Sequence, residues 1–328
     1  MRRREFMAAL TGAAAWPFTV RAQQVKVPVI GLLNGVSFEG PYAAAVGAIR
    51  QGLQDAGLVE GQNLRIAYRS ADGRYERLPD LVTELIRNET ALVIAIGVSR
   101  RALAAQANGS TIPIVLATGS DDVEVGLARN LNRPEGDVSG MNFGGVGLAA
   151  KRLELLLELR PGAPLIGYLD NSGASETFER NMADIAKTAR SRGRDLLVFE
   201  AATEQEIESA FTAMALQRVR ALVVSSDPFL TTRQEQIIEL AARSTVPAIY
   251  ATRGPVMLGG LMSYGVLSND TYRLAGIYAG RILNGEAPAE PSIMLPKRFE
   301  LVINTRTARA LRISVPRRLL SRADEIIG

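Results

Sequence analysis

Six short apolar runs, each running out into Gly, Asn, Ser or Asp, recur along the chain and constrain its fold more than any other feature. They are VPVIGLLNG (27–35), ALVIAIGVS (91–99), IPIVLATGSDD (112–122), LIGYLDNSG (165–173), ALVVSSDP (221–228) and VPAIYATRG (246–254). Unbroken Val, Ile and Leu suit strands covered on both faces, the condition of a buried parallel sheet. Helical periodicity fills the gaps: Leu78, Leu81, Val82, Leu85 and Ile86 fall at i, i+3, i+4, i+7 and i+8, and RLELLLEL (152–159) is a second such stretch. Strand alternating with helix predicts an α/β fold on doubly wound parallel sheets. The chain also echoes itself. ALVIAIGVSRRALAAQ followed by TIPIVLAT returns about 130 residues later as ALVVSSDPFLTTRQEQ followed by TVPAIYAT. Each copy reads as strand, polar turn, helix and Pro-bearing strand, which favours two similar lobes over one long sheet; two unrelated βαβ units would leave the same trace. A length of 328 residues also exceeds one ordinary core.

Residues 1–22 read as an export signal peptide. Arg2, Arg3 and Arg4 open it, a weakly apolar stretch covers 7–20, and Val20 and Ala22 stand where a small-x-small cleavage site needs them. The apolar part is shorter than the roughly 20 residues that span a bilayer. Arg3-Arg4-Glu5-Phe6-Met7 fits the twin-arginine pattern, with the general secretory route as the alternative and a frayed basic terminus as the plain one. Removal leaves 306 residues and takes away four Arg (2, 3, 4 and 21) and Glu5, three of the four formal positive charges. A mature chain so close to neutral does not point to a nucleic acid partner, and Arg309, Arg312, Arg317, Arg318 and Arg322 read as a solvated surface.

Absent residue types narrow the chemistry further. With no Cys, the chain has no disulfide, no thiol nucleophile and no cysteine to carry a lipid anchor. With no His, it lacks the commonest general base and transition-metal ligand. Carboxylates, Lys, Ser and Tyr remain. No acid/base pair with suitable spacing stands out, so an exported carboxylate-dependent α/β enzyme is the remote reading. Asp121-Asp122 is too local a pair to predict a metal, and GGVG (144–147) is not a dinucleotide fingerprint; the expectation is no metal and no cofactor.

Ligands of open parallel sheets bind beyond the carboxyl ends of the strands, so the residues after each apolar run are the candidates. They are Asn34, Ser37 and Tyr42, then Gly97, Val98 and Ser99, then Thr118, Gly119, Ser120 and Asp121 in the first half. In the second they are Asp170, Asn171 and Ser175, then Ser226 and Asp227, then Arg253. Asn142 and Tyr264 join them, the latter as an aromatic bordering a polar turn. Ser99, Ser175 and Asp227 equally suit plain helix caps.

Five longer stretches resemble one family. They are AIRQGLQDAGLVEGQNLRIAYRSADGRYERLPDLVTELI (48–86), TIPIVLATGSDDVEVGLARNLNRPEGDVSGMNF (111–143), SSDPFLTTRQEQIIELAARSTVPAIY (225–250), GGLMSYG (259–265) and KRFELVINTRTARALRISVP (297–316). Together they resemble the substrate-binding proteins of ABC transporters, in the branch with tryptophan- and tyrosine-binding uptake proteins. The resemblance implies a type I periplasmic-binding-protein-like fold, two lobes with a ligand cleft between them. It implies crossings near Asn142 to Gly147, Ser263 to Val266 and Glu290 to Pro296. Lobe 1 would then be 23–143 plus 266–290, and lobe 2 144–265 plus 291–328. It further implies a periplasmic monomer that captures a small-molecule solute by hinge closure and presents it to an ABC permease in the inner membrane. For an amino-acid ligand, Asp227 would take the ammonium group, and Ser99 with nearby N–H groups the carboxylate. Arg100 and Arg101 depart from the family's usual Gly-Thr-Pro-Ala-Ala loop. The same lobes would serve an extracytoplasmic sensor feeding a kinase or chemoreceptor.

Overall fold

The computed structural model describes residues 27–98, 112–118, 138–142, 147–171, 178–286, 293–294 and 298–328; the expected signal peptide lies outside them. One sheet is made of β1 (Val29–Asn34), β2 (Arg65–Ser70), β3 (Leu92–Ile96), β4 (Ile114–Thr118), β5 (Val138–Asn142) and β11 (Ile293–Met294), ordered β11-β5-β4-β3-β1-β2 with every neighbouring pair parallel. The other is made of β6 (Leu165–Asp170), β7 (Asp195–Glu200), β8 (Ala221–Val224), β9 (Ala248–Tyr250), β10 (Met262–Val266), β12 (Phe299–Asn304) and β13 (Glu325–Ile327). Its order is β13-β12-β10-β9-β8-β6-β7, and only β10 and β12 run antiparallel. Without the late strands, both sheets follow the doubly wound order 2-1-3-4-5. The sequence echo falls on equivalent places: β3 and β4 in one sheet, β8 and β9 in the other.

Burial explains which runs became central strands. All five residues of β3 and all four of β8 are buried, as strands with helices on both faces require. The helix α2 (Leu78–Arg87) buries Leu78, Leu81, Val82 and Leu85 against the first sheet, as its periodicity predicts. It lies close because Gly31 of β1 has no side chain: a Cβ there would stand 2.9 Å from Leu85 Cδ1.

Three passages join the sheets. After β5 the chain enters α3 (Leu148–Leu159), which packs on β8, β9 and β10. After β10 it returns through α9 (Ser268–Leu283), which packs on α1 (Pro41–Asp55) and on β3, β4 and β5. After β11 it crosses again to β12. Val266 and Phe299 are register partners, so two of the passages run side by side. One expectation needs correction. Ile293 and Met294 pair with Gly140 and Met141 of β5 and so belong to the first sheet, whereas a boundary at residue 290 would assign them to the second. The C-terminal arginines 309, 312, 317, 318 and 322 are exposed, and Arg322 pairs with Glu158 at 2.8 Å. Among the described residues no helix is long and apolar enough to cross a membrane.

Candidate ligand-binding site

Residues at or beyond the carboxyl ends of β3, β4, β8, β9 and β10 meet around a cavity of about 500 Å³. One lobe contributes Tyr42, Gly97, Ala117 and Tyr272 to its wall, and the other Ser226, Pro228, Thr231, Gln234 and Arg253. Leu148, Arg152, Val266 and Glu300, next to the passages, close the base.

The two lobes touch at the cavity wall. Gly97 adopts φ +57°, and a Cβ on it would stand 2.8 Å from Pro228 Cγ, so a glycine is needed both for the backbone and for the approach. The Tyr42 hydroxyl meets the Thr231 side chain across the same boundary, and burial raises its pKa well above the ordinary value. Tyr75 is partly buried near Asp227; burial first and the Asp227 charge second raise its pKa, and the Phe229 backbone opposes the rise. Its hydroxyl makes no hydrogen bond of normal geometry.

Asp227 caps the short helix α6 (Pro228–Thr232), its Oδ1 accepting from Leu230 N–H at 3.0 Å, with Pro228 at the first helical position. Asp227 is 7% exposed and does not line the cavity. Asp170, at the end of β6, is buried beside it and accepts from Asn171 N–H at 2.8 Å, from Ser225 and from Tyr168. Asn171 in turn donates to Asp227. Burial comes first among the causes that push Asp227 up to about 7; the neighbouring Asp170 charge adds to it and the Leu230 N–H opposes it. Burial also raises Asp170.

Charges of both signs reach the wall. Arg152 is 4% exposed, and its Nε donates to the Tyr264 carbonyl of β10 at 2.8 Å. Burial lowers its pKa to about 10. Glu300 is 7% exposed and raised by burial, with Arg253 3.5 Å away acting against that rise; Arg253 also pairs with Glu325 at 2.6 Å.

Of the residues singled out in the sequence, Tyr42, Gly97, Ser226 and Arg253 line the cavity. Asp170, Asn171 and Asp227 form the hydrogen-bonded group just described. Asn34 is buried with Nδ2 donating to the Ser37 carbonyl, and the Ser37 hydroxyl accepts from Glu39 N–H, so both organise the turn before α1. The Val98 side chain belongs to the core, packed with Leu81, Val82 and Leu85. Tyr264 stacks on Phe299 beside the crossing, ring centroids 6.1 Å apart. Thr118 and Asn142 are register partners at the ends of β4 and β5. Ser99, Gly119, Ser120, Asp121 and Ser175 lie outside the described residues. Sequence reasoning did not find Thr231, Gln234, Arg152 or Glu300. For Arg152 a signal existed: it shares a helical face with Ala149, Leu153 and Leu156, where a charge is out of place.

Over residues 20–327 the sequence matches the family described as ABC transporter substrate binding protein. This chain belongs to that family. A relative named Tyrosine-binding protein, from Clostridioides difficile (strain R20291), is 25% identical to this substrate-binding protein over 260 residues, 79% of this chain and 74% of the relative. Among solved structures, a conserved domain protein from Vibrio cholerae O1 biovar El Tor superposes with a TM-score of 0.79 at 26% identity, covering 92% of this chain and 100% of that one. An ABC domain from Streptococcus pneumonia in complex with L-Trp superposes with a TM-score of 0.77 at 23% identity, covering 92% and 99%. These two share the fold of this substrate-binding protein, the two-lobed type I kind.

Proposed function

We propose that this protein is the extracytoplasmic solute-binding component of an ABC uptake transporter, and that it captures an amino acid or a related small organic solute by closure of its two lobes. The observation that carries this reading is the cavity itself, about 500 Å³, walled by both lobes and floored by the passages between them. That size suits a small organic molecule. A ligand enclosed there touches both halves, so its binding energy favours the arrangement that brings them together. Buried charge of both signs at the base, Arg152 and Glu300, suits a zwitterion better than a sugar. The names of the relatives point the same way: one binds tyrosine, and another holds L-Trp. The ligand then rests against Tyr42, Gly97, Ser226, Thr231 and Gln234. Residues 1–22 act as the export signal that brings the protein to the permease, with the periplasm as its place of work.

Native mass spectrometry of the exported protein, isolated without refolding, tests the reading together with calorimetric titration of the twenty amino acids. The expected result is one bound small molecule per chain, and saturable binding of at least one amino acid. An empty protein that binds none of them would overturn it.

A further inference from the structure

Arg152 is a buried cation whose charge has no counterpart among the described residues. It lines the cavity, and among the described residues its hydrogen bond is made by Nε, to the Tyr264 carbonyl at 2.8 Å. Among the described residues no carboxylate stands within ion-pair distance of it. The polar groups around it that favour its charge are the tyrosines 168 and 264. Arg253, the other arginine of the wall, already has Glu300 and Glu325 as partners.

A guanidinium taken out of water without a counterion is costly, and a single bond to a backbone carbonyl does not account for choosing one: a neutral amide donor would serve. The planar fork of the remaining N–H groups matches a carboxylate. Position adds to this. Arg152 sits one turn into the helix that follows the first passage and bonds the strand that leads into the second. An anion held there rests at the base of the cleft, where the lobes join.

We infer that Arg152 anchors a carboxylate of the ligand and thereby restricts the cargo to acids, an inference that rests on the cavity being the solute site. The rest of the solute then points outward, toward Ser226 and Gln234.

The test compares each of the twenty L-amino acids with its carboxamide, which keeps the ammonium group and side chain and loses the negative charge. Binding is read by calorimetry on the exported protein and on two variants. Arg152→Gln keeps a donor for Tyr264 and removes the charge; Arg152→Lys keeps a charge without the fork. Far-ultraviolet circular dichroism and ligand-free melting establish that each variant is folded. In the wild type, an acid is expected to bind about 100-fold more tightly than its amide. In Arg152→Gln that preference collapses to near unity, and Arg152→Lys restores part of it. A merely structural role for Arg152 would lower affinity for acid and amide alike and leave their ratio unchanged, which overturns the inference. If no amino acid binds, the solute-class reading fails, and the molecule that co-purifies decides this one. A co-purified carboxylic acid supports the inference, whereas a neutral or cationic solute, or an empty protein, overturns it.

Discussion

Asp227 faces Asp170 beyond the end of β6, and among the described residues no cation stands between them. Burial, with Asp170 adding to it, holds Asp227 at about 7, whereas an aspartate in an unfolded chain titrates near 3.9 or so. The folded protein therefore keeps a proton that the unfolded chain gives up between roughly pH 4 and 7. Stability from this group is fully present below the unfolded value and is lost as pH rises toward 7. Asp227→Asn keeps the cap of α6, since Asn caps as well as Asp, and removes the titration. Its melting temperature should fall less than that of the wild type across this window; parallel curves would contradict the assignment. Gly97 makes a separate prediction. In Gly97→Ala the left-handed backbone costs about 1–2 kcal/mol, and the new methyl meets Pro228 of the other lobe, a clash that the proposed closure would bring into play. That strain is present with and without solute, so it lowers ligand-free melting and cancels in the affinity, whereas the clash with Pro228 should weaken solute binding by at least about tenfold. Unchanged affinity would mean that Gly97 does not approach Pro228 in the bound form.

At the scale of elements, α9 returns from the second lobe to complete the first. It can do so because α1 and α9 pack backbone to backbone: a Cβ on Gly276 would stand 2.2 Å from the Ile49 carbonyl oxygen, and one on Gly52 would stand 2.0 Å from that of Arg273. Gly276→Ala should destabilise the protein by about 1–3 kcal/mol in urea unfolding, because the helices must move apart. A neutral result would mean that this contact is loose. The central strands were legible in the sequence because burial on both faces leaves an unbroken apolar run, as in LVIAI of β3 and ALVV of β8. The edge strand β2, RIAYRS, was not: its residues are half-buried, and Arg65 and Arg69 sit along an edge where charge is tolerated. The candidate site was legible in part for the same reason. Strand ends announce Gly97 and Ser226, but Arg152 and Glu300 reach the cavity from a helix face and from a strand beside the passages, and their burial follows from how the lobes meet. Phe299 and Glu300 show this inversion directly, the aromatic 39% exposed and the acid 7%.

For the whole molecule, two sheets that share a strand order apart from their late strands are joined by three passages, two of them side by side at Val266 and Phe299. The contacts between lobes, Gly97 on Pro228 and Tyr42 on Thr231, are made by residues that line the cavity, and Arg152 lines it beside the passages. On the proposed closure, the lobes would part about the passages and a solute between them would hold them together. The absence of cysteine makes the movement measurable, since two introduced thiols are the only ones to label. Asn88→Cys on the first lobe and Leu216→Cys on the second are both exposed positions, well outside the cavity. Double electron-electron resonance between spin labels there, with and without the bound solute, is the most direct measurement. The prediction is a broad or longer distance in the empty protein that narrows to one shorter distance on binding. The same distance in both states, with the solute shown to be bound, would contradict capture by closure.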